Sequence, residues 1–257
     1  MFRRKRLGPA PSDEWTPIHD LLWISAVLPQ PGQWAALREQ HERTGLWPLL
    51  LGGLSDRDPD RPWRSGELAP SGVKRTAPAD HDPAALLAAW WQECIPDEDE
   101  EEEQLAATAP FGDRWPGLAP PGVPQADPAQ RAAEIADFVL SSGWLTAPRL
   151  GLVPSARGAD APTAAGWSGP VNHEGDTAKF SAVLRSWEER FGARVVGIGF
   201  DTLYLSVAAP PADEEHALRV AAEHFGFCPD NVWQGSGSLT EYAKGIIGQP
   251  VWVFWWD

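Results

Sequence analysis

The chain has 257 residues, 43% hydrophobic and 22% charged, with a formal net charge of −15. So acidic a balance excludes nonspecific nucleic-acid binding, which needs a basic face to neutralise phosphates. No apolar run is long enough to span a bilayer. The basic start is not followed by the apolar stretch of a secretory signal, and Cys94 and Cys228 make no disulfide framework, so a cytoplasmic protein is expected.

Residues 1–15 read as a disordered basic N-terminus. Arg3-Arg4-Lys5-Arg6 is the basic cluster there, a solvated tail or else a tether to an acidic partner or membrane surface. Leu22 to Leu28 reads as a short strand stopped by Pro29. Gln33 to Arg43 reads as a helix closed by Gly45, and Leu46 to Leu51 as a second strand. This strand–helix–strand pattern has the length of a βαβ unit, so the two strands are expected to lie parallel. Ser55 to Ala79 reads as a loop, and Asp82-Pro83 opens a helix that runs out at Pro96. The like-charge run 97–103 repels itself and is expected to be disordered. Residues 16–110 thus form an N-terminal α/β segment, followed by a Pro- and Gly-rich linker over 111–127.

The domain 128–257 opens on a helix capped by Asp127, with Ile135, Phe138 and Val139 inward and Gly143 past its end. Arg149 to Pro154 reads as a strand, and Ser155 to Gly175 as a long irregular stretch. Asp176 caps the clearest helix, whose stripe is Phe180, Val183, Leu184, Trp187 and Phe191. Val195–Phe200 and Leu203–Val207 read as a hairpin around Asp201-Thr202. Asp213 starts a helix through Phe225, and Ser238 with Glu241 opens a short one. The final strand, Pro250 to Trp256, is apolar on both faces and is expected to be central and covered on both sides. Trp is the compositional outlier, with 15 copies against two Tyr, and suits both a dense core and a binding surface. The fold class expected is α+β, a mixed sheet covered by helices with the Trp-rich strand central and a smaller N-terminal βαβ-like segment.

A set of residues in order carries a resemblance. It runs through Leu152-Val153-Pro154, Arg157, Gly166-Trp167 with Gly169 and Asn172, then Trp187, Arg190-Phe191-Gly192-Ala193 and Gly199 to Leu203. It continues through Pro210-Pro211, Ala222-Glu223-His224, Phe227-Cys228-Pro229-Asp230, Gln234-Gly235, Tyr242-Ala243 and the closing Trp252 to Asp257. On these residues, 150–257 resembles the bacterial family known as domain of unknown function 4253. The resemblance brings no activity and no catalytic residues. It implies a partner-binding role, through a loose association with gene neighbourhoods that include toxin–immunity and other conflict systems.

Two groups of residues have the chemistry of a site. In the first, His224 and Cys228 lie four apart, and Glu223 and Asp230 flank them. A nucleophilic Cys228 would use His224 as base, oriented by Asp230. The structural reading has His224 and Cys228 packed and Asp230 capping a turn. His216, His224 and Cys228 are also weak metal candidates of zinc-ligand type, but without paired ligand spacings. The second group lies in the 155–175 stretch, where Arg157 can grip a carboxylate or phosphate, Trp167 can stack on a planar partner and Asn172 can orient it. The structural reading has Trp167 in the core and Asn172 on the backbone. Gly197-Ile198-Gly199 is followed by no helix, the Gly235–Ser238 loop lacks a GK[ST] pattern and no G-x-S-x-G occurs, so no cofactor is expected. The expected function is that of a non-catalytic binding protein for a protein partner, a basic one by charge complementarity. The alternative is a small-molecule-binding protein or enzyme, with its pocket between the 155–175 loop and the 223–230 segment.

Overall fold

The computed structural model describes residues 7–8, 10–65, 67–69, 76–95 and 107–257. The basic cluster at 3–6 and the acidic run at 97–103, both expected to be disordered, lie outside the described residues. Among the described residues, no helix is long and apolar enough to cross a membrane.

The chain is α+β. In chain order its strands are β1 (Trp15–Ile18), β2 (Leu22–Ser25), β3 (Leu46–Leu51), β4 (Arg149–Pro154), β5 (Arg194–Ile198), β6 (Thr202–Ser206) and β7 (Val251–Trp255). The helices are α1 (Gln33–Glu39), α2 (His41–Thr44), α3 (Pro83–Cys94), α4 (Pro128–Ser142), α5 (Ala161–Ala165), α6 (Thr177–Phe191), α7 (Glu214–Phe227) and α8 (Leu239–Ile246). The strands make one mixed sheet in the order β1-β2-β4-β3-β5-β6-β7. Among the described residues, only β3 and β5 pair in parallel.

The N-terminal strands share this sheet with the C-terminal ones. β2 and β3 both pair antiparallel to β4, so they run the same way, as a βαβ unit requires, but with β4 inserted between them. The expected helix from 33 to 43 breaks at Gln40 into α1 and α2. Strand β1 was not foreseen. It forms a hairpin with β2 because His19 and Asp20 both take positive φ, which gives a tight turn with the hand of the strands. The irregular stretch expected after β4 contains α5, all of whose residues are buried.

The position of β7 corrects the sequence reading: it is an edge strand, not a central one. Apolar residues on both of its faces gave the wrong inference because the two faces are unequal. Trp252, Phe254 and Trp256 are buried against α6 and α7, whereas Val251 and Val253 are half-buried and Trp255 is 38% exposed. The inner face is an aromatic wedge. Trp187 of α6 stacks on Phe254 at 5.3 Å and meets Phe227 of α7 at 4.7 Å, and Phe191 packs edge-on against Trp252. The other face of β6 carries Tyr204, which stacks on Trp144 just past α4 and donates to its carbonyl. Phe138 of α4, expected inward, is exposed and lies edge-on against Trp144 instead.

The Pro- and Gly-rich stretch 111–127 runs along the outside of this core. Gly122 and Gln125 donate from their backbone to Arg190 and Ala208.

Candidate functional site

The residues that looked most like chemistry in the sequence sit in the core. Glu223 is fully buried, and its carboxylate accepts from four donors. Arg190 grips it through both terminal nitrogens at 2.7 and 2.6 Å, the Trp187 indole donates at 2.7 Å and the Ala119 amide at 2.7 Å. Those donors satisfy the charge where it stands. His224 is fully buried between Trp187, Trp252 and Phe254. His224 Nδ1 lies 3.1 Å from the Tyr242 hydroxyl, which also accepts from the Asn231 amide, and its Nε2 is buried with no hydrogen-bond partner among the described residues. Burial, helped by the charge of Arg190, holds the His224 pKa well below its ordinary value, so the ring is neutral.

Cys228 and Asp230 lock the sheet edge. The Cys228 thiol donates to the Trp255 carbonyl at 2.9 Å, and burial pushes its pKa up, away from a thiolate. Asp230 accepts from the Asp257 amide. Between them, the Asn231 side chain donates to the Val253 carbonyl at 2.8 Å and accepts from the Trp255 amide at 3.3 Å. Its carboxamide thus stands where the peptide group of an eighth strand would pair, and the outer edge of β7 is closed to strand addition.

The weak metal candidates are occupied one by one. His216 Nε2 bonds the Pro120 carbonyl, while His224 and Cys228 are bonded as above. Among the described residues, no group of three or more His, Cys, Asp or Glu is placed to hold a metal ion.

The loop candidates divide. Trp167 is buried, and its indole N–H donates to the Gly199 and Phe200 carbonyls at 2.9 and 3.1 Å, pinning the turn after β5. Gly169 lies flat on that ring, where a Cβ would come within 2.2 Å. Asn172 donates to the Asp257 carbonyl. Arg157 points to the opposite end of β5, where it pairs with Glu188 and Glu189. Arg157, Asn172, His224 and Asp230 therefore do not converge on one pocket between the 155–175 and 223–230 segments.

The segments that Trp167 and Asn172 hold together do enclose a groove of about 530 Å³. Phe200 and Trp256 give it an aromatic wall, and Glu67, Asp201 and Asp257 bring carboxylates. Arg61 pairs with Glu67, holding that carboxyl below its ordinary range, and lays its guanidinium 4.9 Å over the Phe200 ring. Asp201 accepts from the Thr202 hydroxyl and, at 3.3 Å, from the exposed Trp255 indole. Neither Asp201 nor Asp257 has a cationic side chain at ion-pair distance among the described residues. The sequence reading took Asp201 for a turn residue, which it is. The missed signal was its place beside Phe200, within a hairpin apex pinned from outside.

No curated protein and no solved structure matches the chain. The resemblance read from the sequence holds for the C-terminal part: residues 149–257, from β4 through β7 to Asp257, match the family model described as a domain of unknown function (DUF4253).

Proposed function

We propose that the protein is a non-catalytic binding protein of immunity or accessory type, and that it docks a basic segment of a protein partner in the groove beside Phe200 and Asp201. The observation that carries this reading is the pairing of two carboxylates that lack a counter-cation, Asp201 and Asp257, with an aromatic wall. A lysine or arginine side chain suits such a wall, its stem on the rings and its head at the carboxylates. The net charge of −15 adds long-range attraction for a basic partner. The fate of the nucleophile and base candidates favours binding over catalysis, because Cys228, His224 and Glu223 are all held in structural bonds. The cytoplasm is the proposed location, in keeping with free cysteines at 94 and 228.

Titration calorimetry with an oligolysine peptide at low salt tests the groove. The double variant Asp201→Asn/Asp257→Asn is expected to bind roughly tenfold more weakly, since each screened ion pair contributes up to about 1 kcal/mol. The same charge change at exposed Glu214 and Glu215 is the control and is expected to have little effect. Equal weakening by both pairs would reduce the attraction to net charge and sink the groove.

A further inference from the structure

At the other end of β5 the chain builds a second recess, of about 420 Å³, and its chemistry is the reverse. It lies where β3 and β5 begin and β4 ends. Its lining includes Arg38, His41, Trp47, Arg157 and Arg194, together with the carboxylates of Glu42 and Glu188. In so acidic a protein, three guanidiniums and an imidazole facing one space are an exception to the surface as a whole.

The frame under these side chains is rigid. Trp47 is buried, and its indole donates to the Val195 carbonyl at 2.9 Å. Gly158 presses against its ring, where a Cβ would come within 2.4 Å. Arg38 projects from α1 with its guanidinium 4.5 Å over the ring, and His41 stands edge-on to it at 5.1 Å. His41 Nε2 is 2.8 Å from the Ser155 carbonyl, so it is the donor there.

The charges above that frame are not balanced pair by pair. Arg38 has no carboxylate within ion-pair distance among the described residues, and burial with the neighbouring Arg194 charge lowers its pKa against the opposing effect of Glu42 and Glu188. Glu188 is shared between Arg157 at 3.5 Å and Arg194 at 3.7 Å, and its Oε2 is buried without a hydrogen-bond partner. Both distances are too long for charge-assisted hydrogen bonds; the Arg185–Asp160 pair of this same chain closes to 2.7 Å. Arg157 is hydrogen-bonded to Glu189 at 3.0 Å as well, so Arg38 and Arg194 are the guanidiniums of this recess that no carboxylate hydrogen-bonds among the described residues, and Glu188 stands loosely between Arg157 and Arg194.

We propose that this recess is an anion site, in which Arg38, Arg157 and Arg194 grip the phosphate group of a small phosphomonoester. Guanidinium forks match phosphate oxygens bidentately, which a lysine ammonium does not. The volume falls within the range of small-ligand pockets, about 300–1,000 Å³, and leaves room for more than the phosphate itself. The site is separate from the groove and does not depend on the reading given for it.

The test is titration calorimetry of the full chain with inorganic phosphate and with phenyl phosphate, in a buffer free of other oxyanions. The expected result is saturable binding of both, tighter for the ester. Arg38→Gln, which breaks no ion pair, is expected to weaken both by about tenfold, one bidentate contact's worth, while the loss of its contact with the Trp47 ring lowers the melting temperature without ligand by only a few degrees. Glu188→Gln removes the competing carboxylate and is expected to tighten binding several-fold, a direction that a merely structural role would not produce. Absence of saturable heat with both probes, affinity unchanged in Arg38→Gln or affinity lowered in Glu188→Gln would each overturn the site. Equal affinity for phosphate and phenyl phosphate would overturn the ester.

Discussion

Removing the Glu223 carboxylate is the sharpest test of how the core is held. In Glu223→Ala the Arg190 guanidinium, whose side chain is 13% exposed, loses both of its charge-assisted bonds. The Trp187 indole and the Ala119 amide lose their acceptor at the same stroke. Breaking a buried pair from one side costs about 3–5 kcal/mol. Two buried neutral donors left unpaired cost about 1–3 kcal/mol each, a range that overlaps the first because the groups share one acceptor. We therefore expect a loss of about 3–5 kcal/mol, a large part of the 5–15 kcal/mol that stabilises a typical domain. At about 2–4 °C per kcal/mol, the melting temperature falls by about 6–20 °C. Urea unfolding followed by Trp fluorescence measures it. A double-mutant cycle with Arg190→Ala separates the ion pair from the other two donors. A loss below about 1 kcal/mol with an unchanged denaturant slope would refute the claim that this carboxylate organises α6, α7 and the 111–127 stretch.

Stability should fall on the acid side of neutrality. The His224 pKa is lowered by burial, so the unfolded chain takes up a proton near 6.5 that the folded chain refuses. The contribution is complete above about pH 6.5 and is lost as pH falls below it, by up to about 1.4 kcal/mol per pH unit. His173, lowered mainly by burial, acts in the same direction. Unfolding curves from pH 7 to 5 should be flatter for His224→Phe, and parallel curves would contradict this account. Asn231→Ala should loosen β7 at a cost of about 1–3 kcal/mol, with faster hydrogen exchange at the Trp255 amide; unchanged exchange there would mean that the edge is held by other means.

The sequence showed the helices well where a cap and a stripe agreed. Asp127, Asp176 and Asp213 each accept from the first-turn amides of α4, α6 and α7, and Gly192 closes α6 in the left-handed conformation. The hairpin of β5 and β6 was equally plain from its two apolar runs. Strand order was not legible, because β4 pairs with β2 and β3 across about a hundred residues of chain, and no local pattern encodes that partner. The position of β7 was misread for a related reason. Apolar residues on both faces do not report strand order: helices cover one face of β7 and leave Trp255 exposed on the other, while the side chain of Asn231 bonds the outer edge where another strand would pair. For the site, spacing drew attention to Glu223, His224 and Cys228, which are near in sequence and busy in the core. The groove and the recess draw instead on segments far apart in the chain. Of their residues, Asn172 and Arg157 alone stood among the candidates named from sequence.

What unites the two openings is the segment that runs between them. Arg194 begins β5 at the basic recess, and Asp201 follows its other end at the acidic groove. Five strand residues at about 3.3 Å each separate the two by roughly 17 Å. That is about twice the screening length at physiological ionic strength, about 8 Å, so the two charge sets act independently on anything charged that approaches. Each is fastened by a tryptophan that donates to backbone carbonyls of the same segment: Trp47 to Val195 at one end, Trp167 to Gly199 and Phe200 at the other. These indoles leave no slack at the openings, and the Glu223 and Asn231 locks hold α7 and β7 around them. Side chains that resemble catalytic groups in the sequence are thus spent on rigidity, and the binding proposed for the two openings rests on charges carried by other residues.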